Sequence, residues 1–554
     1  MTRFVSRLPL MSVGPATSPR AVFSIFGIVT LGVLMALATD VALSRLTPVK
    51  VAFILGGFAL LIPTVVMKHP KAYWLFLLVV SIFFDISKWL SPDLHIVALY
   101  GFPALGTVDL ELYLTDLVLV VMVLPWLARV AMRREMVYFP AIGYLFVLYL
   151  IWALLVSLIN AQSYYLAIFE LCRQSLYFLF FIYLINNVIT REHFRSAICA
   201  VFLGLTISAG TVIAFFFMGI QSETSTFSSL HDQAFMDGNS TPRITGAGRG
   251  AAGGAAGNLP VVSNNRRFPG LRNSEGGSQI KRGKGMFGHP AIPASLCGLI
   301  LPIVLAYLVT ARRNRDRILL FTVFILGVAG LVLTFSRAGA IGCAAGIAVF
   351  VAVAGWSGLV PRRVITRLAV MSVGLAALSM PLMVAYFTTR PEAFTMRFYM
   401  HEAALQGYLE HPLLGVGLNN STAAMKDPRQ ELTDLGIPVG RSETADSYYV
   451  AMLVEVGPVG FVLFFGFFGK IVMIALREMR EVAIDLKPLL VGIVAGLASL
   501  ATQSLSDIPM SGHAVGGFLW LFAALIVAIA RDIQVELGPS SVGGYSRLPG
   551  ARSH

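Results

Sequence analysis

Three arginines stand where long apolar runs give way to polar loops: Arg282, Arg337 and Arg397. A guanidinium is a planar fork that binds phosphate oxygens in pairs. Arginines gathered at the mouths of membrane spans therefore suit a phosphate or pyrophosphate whose negative charge must be stabilised. Two residues near them, His411 and Asp446, could take a proton from an attacking hydroxyl. Each candidate also has a purely structural role open to it. Arg337 could end a helix and snorkel to the headgroups, and Arg282 and Arg397 could be solvated loop charges. Asp446, just ahead of Ser447 and a new apolar run, could be a helix N-cap, and His411, before Pro412, could mark a helix end. Glu455 lies within a span, where a carboxyl is costly and a function is the default reading; its structural reading is a hydrogen-bond partner for another helix.

The elements that must position these residues are membrane helices. Of 554 residues, 56% are hydrophobic and 13% charged, against about 45–50% and 25% in ordinary soluble domains. The apolar residues come in long uninterrupted runs such as Val22 to Ala38 and Ile318 to Phe335. Spans need about 20 such residues, and the lack of alternation favours helices over barrel strands. The expected fold class is an all-α polytopic membrane protein of about 14 transmembrane helices. We place them near 22–43, 48–67, 72–90, 110–130, 138–159, 168–189, 196–218, 289–311, 318–335, 338–360, 366–387, 447–474, 488–506 and 514–531.

Orientation follows from short basic loops, which stay in the cytoplasm. Lys68/Lys71, Arg129/Arg133/Arg134, Arg191/Arg195, Arg312 to Arg317, Arg362/Arg363/Arg367 and Arg477/Arg480 all fall on one side of the count. The resulting organisation is a cytoplasmic tail over 1–21, helices one to seven over 22–218, and a Gly-rich extracytoplasmic loop over 219–288. Helices eight to eleven follow over 289–387, a second extracytoplasmic loop with a short helix over 388–446, helices twelve to fourteen over 447–531, and a cytoplasmic tail over 532–554. The N-terminus shows no small-residue cleavage pattern, so the first span reads as retained.

The 219–288 loop carries eight Lys/Arg against four acids. It attracts either an anionic substrate or lipid headgroup, or it is a solvated basic linker. Its Gly248 to Gly253 run matches G-x-G-x-x-G, but no strand precedes it, so a linker is the better reading. In the second loop the spacing from Thr395 to His411 predicts a helix with Arg397, His401, Tyr408 and His411 broadly on one side, suited to lie in the interface or to cover a cavity. Asp40, Asp85, Asp116 and the pair Glu170/Arg173 are further charges within spans. They keep a proton-coupled transporter open as a competing class, although no matching pair of Gly/Pro-broken spans supports it. The four cysteines show no metal-ligand or redox spacing.

Three stretches then resemble a known family. RGKGMFGHPAIPAS from Arg282 and LTFSRAG from Leu333 to Gly339 are similar to its Arg-Gly segment and its Ser-Arg-small turn. EHPLLGVGLNN, Glu410 to Asn420, with ADSYYVAMLVEVGPVG, Ala445 to Gly460, resembles its His-Pro-x-x-Gly-x-Gly element followed by a Glu-x-Gly-x-x-Gly helix. The family is that of O-antigen ligases and O-antigen polymerases. The resemblance implies a membrane glycosyltransferase with a helical-bundle fold, using a glycan on undecaprenyl pyrophosphate as donor and a second lipid-linked unit as acceptor at the outer face of the inner membrane. The chemistry of such a transfer makes Arg282, Arg337 and Arg397 the candidate pyrophosphate ligands and Asp446 or His411 the candidate base, and the resemblance implies no metal or other cofactor. Ligases of the family usually carry a histidine where this chain has Asp446, which tilts the expectation towards a polysaccharide polymerase. The lipopolysaccharide O-antigen ligase stays open beside it, as do the transporter and a scaffold of an export complex. Partners are the lipid bilayer, the lipid-linked glycan and, with a scaffold or polymerase role, other export and assembly proteins. The net charge of +13 sits mostly in topological loops and does not imply nucleic acid.

Overall fold

A computed structural model of the chain describes residues 70–84, 87–89, 111–133, 135–188, 190–218, 282–287, 289–367, 370, 392–421 and 447–536. The expected spans at 22–43 and 48–67, most of 366–387, the residues Asp40, Asp85 and Asp446, and the 219–281 part of the first loop lie outside the described residues.

The described helices are α1 (Pro70–Phe83), α2 (Leu114–Ala131), α3 (Gly143–Asn160), α4 (Tyr164–Asn187), α5 (Arg191–Met218), α6 (Ala291–Thr310), α7 (Asn314–Leu333) and α8 (Arg337–Trp356). Then come α9 (Glu392–Leu409), α10 (Tyr448–Glu478), α11 (Lys487–Gln503) and α12 (His513–Glu536). Among them nine are long and apolar enough to cross a membrane, and α1 and α11 are shorter apolar helices. The chain is an all-α, multi-pass membrane protein. One small departure interrupts it. The expected spans at 72–90 and 110–130 are helical only to Phe83 and from Leu114, because β1 (Ser87–Trp89) and β2 (Glu111–Tyr113) pair antiparallel, Ser87 opposite Tyr113. The carboxylate of Asp116 accepts from the Tyr113 amide at 3.1 Å, which fixes where α2 begins.

Helix α6 is buried on nearly every side and α12 throughout its 513–531 stretch, so these two form the inner core. Helices α8 and α11 pack on α6 through small residues. A methyl on Gly342 or Gly346 of α8 would lie 2.7 or 2.9 Å from the α11 carbonyls of Ser499 and Ala495, and one on Gly492 would lie 2.6 Å from Ile303 of α6. With lipid as apolar as leucine, helices gain little from burying greasy surface against each other; close backbone approach over small residues supplies the packing instead.

The starts of α4, α6, α8 and α10 and the ends of α3, α7 and α11 gather at one end of the bundle. Contacts that join them are Gly283 to Leu333 (2.8 Å), Tyr448 to Ser504 (3.0 Å) and Asp507 (3.1 Å), and Gln503 to Ser295 (2.7 Å). The opposite end is basic. There Arg191 pairs with Asp485 at 2.8 Å, Arg480 lies over Trp356, Arg531 lies over Tyr138, and Lys487 donates to the Ser357 carbonyl.

Candidate functional site

The segment before α6 docks on the turn between α7 and α8. The Gly283 amide donates to the Leu333 carbonyl at 2.8 Å and the Arg282 Nε to the Thr334 carbonyl at 3.3 Å. A methyl on Gly283 would stand 2.9 Å from that Leu333 oxygen, and Gly285 has φ +62°, so the Arg-Gly-Lys-Gly spelling is what lets the backbone lie this close. The turn itself is tight. Phe335 has φ +49°, costly for a bulky L-residue, and Ser336 caps α8 by accepting from the Gly339 amide at 3.2 Å. Arg337 is therefore the first residue of a 20-residue helix and is half-buried. The positive end of the helix dipole disfavours a cation there and attracts an anion. Arg282, exposed, and Arg337 are brought to one turn.

The second region is built on a break in α10. Gly457 has φ +65° and is followed by Pro458. In an unbroken helix the Val454 carbonyl would accept from residue 458, which as proline has no N–H. The strap that follows α9 supplies the missing donors. The Val416 amide donates to the Val454 carbonyl and the Gly417 amide to the Glu455 carbonyl, each at 2.9 Å. The Trp152 indole of α3 donates to the Val456 carbonyl at 2.9 Å. Gly415 (φ +82°) and Gly457 meet almost backbone to backbone: a methyl on Gly415 would lie 2.7 Å from the Gly457 amide and from the carbonyl oxygens of Val454 and Glu455. The rest of the strap is fixed to the α3–α4 corner. Asn160 donates to the Gly415 carbonyl (2.8 Å), the Leu418 amide donates to the Ser157 Oγ (3.1 Å), and the Ser163 amide donates to the Asn420 Oδ1 (2.8 Å).

Glu455, buried, is the hub of this region. Its carboxyl accepts from the Ser421 hydroxyl at 2.7 Å and from the backbone amides of Asn419 and Ser421. The partners are thus Asn419 and Ser421, the latter helical and the last described residue of this stretch. Nearby in the bundle, Arg173 pairs with Glu170 at 2.5 Å, one turn apart on α4, and Gln174 donates to Glu170 at 3.0 Å. The spacing-based expectation that Glu170 and Arg173 neutralise one another describes this pair. Farther along, Tyr177 reaches the His513 Nδ1 (3.2 Å), whose ring stacks on Tyr113 at 3.8 Å.

His411 is exposed at the head of the strap. Its amide donates to the Tyr408 carbonyl at 2.9 Å and its carbonyl accepts from Gly415 at 2.8 Å. The helix expected to run to His411 ends at Leu409, where Tyr408 turns to donate to the Pro412 carbonyl at 2.5 Å. His411 consequently lies beyond the helix, and the shared side with His401 and Tyr408 stops short of it. Helix α9 is docked on α10 through Ala404, which packs with Val416, Val454, Val450 and Ala451. Arg397 lies on α9, about three turns before its end. The N-cap of α10 is Ser447, whose Oγ accepts from the Val450 amide. The capping role open to Asp446 therefore belongs to its neighbour.

Of the five site residues expected from sequence, the structure joins Arg282 and Arg337 and places His411 on a separate, firmly held strap. The arrangement can hold an anion at the α7–α8 turn and present an imidazole from the strap. Sequence reasoning missed Trp152, Ser421 and Asn420. Trp152 and Asn420 pair with residues hundreds of positions away and Ser421 with one 34 positions on, pairings that leave no local pattern in the sequence.

Residues 322–465, from within α7 through α8, α9 and the strap into α10, match the family model described as O-antigen ligase. A search among curated proteins finds no match to the chain.

Proposed function

Starting from the match of residues 322–465 to the O-antigen ligase family model, we propose that the chain is an envelope glycan polymerase. It transfers a glycan from an undecaprenyl-pyrophosphate donor to a second lipid-linked unit at the outer face of the inner membrane, with both termini in the cytoplasm. The observation that carries this reading is the docking of Arg282 on the turn that opens α8 with Arg337. Two guanidiniums and a helix N-terminus at one turn suit the growing charge of a leaving pyrophosphate. Arg397 is a third ligand in this reading, and Asp446 or His411 takes the acceptor's proton. The basic end of the bundle, opposite the arginine turn, supports the orientation. Asp446 in place of the usual ligase histidine favours polymerase over lipopolysaccharide ligase.

The deciding experiment is the glycan profile of a deletion strain complemented with variants. Loss of long polymer with single units retained is the expected result. Intact polymer stranded on its carrier would instead make the chain a ligase.

A further inference from the structure

We infer that Glu455 is a positioning residue for the proposed transfer, holding the strap that presents His411; this role rests on the function proposed above. Glu455 grips the strap twice. Its backbone carbonyl accepts from Gly417, and its carboxyl gathers the Asn419 amide, the Ser421 amide and the Ser421 hydroxyl. Asn419 adopts φ +55°, the left-handed turn that brings alternate amides of the strap end round to one carboxyl.

Three donors converging on one side chain explain why it is a carboxyl. A carboxyl group offers two acceptor oxygens to those donors, whereas a glutamine offers one and would turn an NH₂ towards one of them. Burying a carboxyl inside a membrane helix is costly, and a strap needed only for stability could be held by backbone contacts alone. The contacts reach His411 directly. Gly415, fixed by Asn160 and bonded to the His411 carbonyl, is separated from the Glu455-bound Gly417 by Val416 alone. Loosening Glu455 therefore frees the strap that sets where the imidazole stands.

The test uses the full-length protein in lipid nanodiscs, with Cys172 and Cys199 replaced by alanine. Spin labels go on Leu413→Cys in the strap and Val462→Cys on α10 beyond the kink, both exposed. A narrow distance distribution is expected with Glu455, and a broadened one in both Glu455→Gln and Ser421→Ala. Each variant should lower turnover by roughly tenfold, the scale of one lost charge-assisted hydrogen bond, with the donor KM unchanged. The double variant should be no worse than the poorer single one, since both remove the same contact. A merely structural role would lower abundance and leave turnover per folded molecule unchanged. Glu455→Gln with a narrow distribution and full turnover would overturn the inference. Full-length polymer from Arg337→Ala would instead overturn the proposed function, while the spin-label distances would still decide whether Glu455 holds the strap.

Discussion

An arginine at the first position of a helix works against the helix dipole, and Arg337 occupies that position behind a strained Phe335. An anion at the same point turns the cost into a gain. Pyrophosphate is already a good leaving group, so stabilising its charge is the demanding task. Losing one such donor removes about 2.7–4 kcal/mol of transition-state stabilisation, or roughly a hundred- to thousandfold in rate. Arg337→Ala is expected to abolish long polymer at normal membrane abundance. Arg337→Lys should be clearly impaired, because the charge survives but the fork does not. Gel analysis of polymer length beside an immunoblot for abundance checks both. Ser447 occupies the N-cap of α10, so Asp446→Asn should leave abundance intact, and if Asp446 is the base it should stop polymer growth. Residue types were legible in the sequence at this scale, but not which of two adjacent polar residues caps a helix. That depends on the geometry at the start of α10, where Ser447 also donates to the Ser504 carbonyl at 3.3 Å.

At the scale of elements, the break in α10 and the strap make a single unit. The sequence showed Gly457 and Pro458 inside an apolar run, and the run reads as one continuous span. Nothing local says that residues 416 and 417 will serve the carbonyls of 454 and 455. Such long-range backbone pairing leaves no periodic trace, whereas the spans themselves follow directly from composition. The pairing makes sharp demands. A side chain at Gly457 would be forced to φ +65° with ψ −179°, a region open essentially to glycine alone, and pressed into the Leu413 carbonyl, adding backbone strain of about 1–3 kcal/mol to a steric clash. Gly457→Ala and Gly415→Ala should each lower the thermal midpoint of the purified protein by several degrees, followed by loss of helical circular dichroism in detergent. Trp152→Phe keeps the packing but removes the donor to the Val456 carbonyl. Leaving that group unpaired should cost about 1–3 kcal/mol, seen in the same melt.

At the scale of the whole molecule, charge and architecture point the same way. Arg191, Arg480, Lys487 and Arg531 are tied down at one end of the bundle, and Arg282 and Arg337 stand at the other. Short basic loops are retained in the cytoplasm because the membrane potential and insertion machinery disfavour their translocation. A reporter fused after Gly257 or Gly436 should thus be active outside, and one after Arg315 inside. An inside signal from Gly436 would place His411 in the cytoplasm, away from any glycan assembled on the outer face. The same architecture separates enzyme from carrier. The charges within the bundle that kept a transporter open include Glu170 and Arg173, which neutralise one another on α4, and Asp116, which caps the start of α2. A pair held this closely has little reason to exchange protons with either side during a cycle. The purified protein should therefore lengthen a lipid-linked glycan in nanodiscs, where no ion gradient can exist. Gradient-driven uptake into sealed vesicles, with glycan length unchanged in both preparations, would show that the arginine turn serves a passing substrate rather than a reaction.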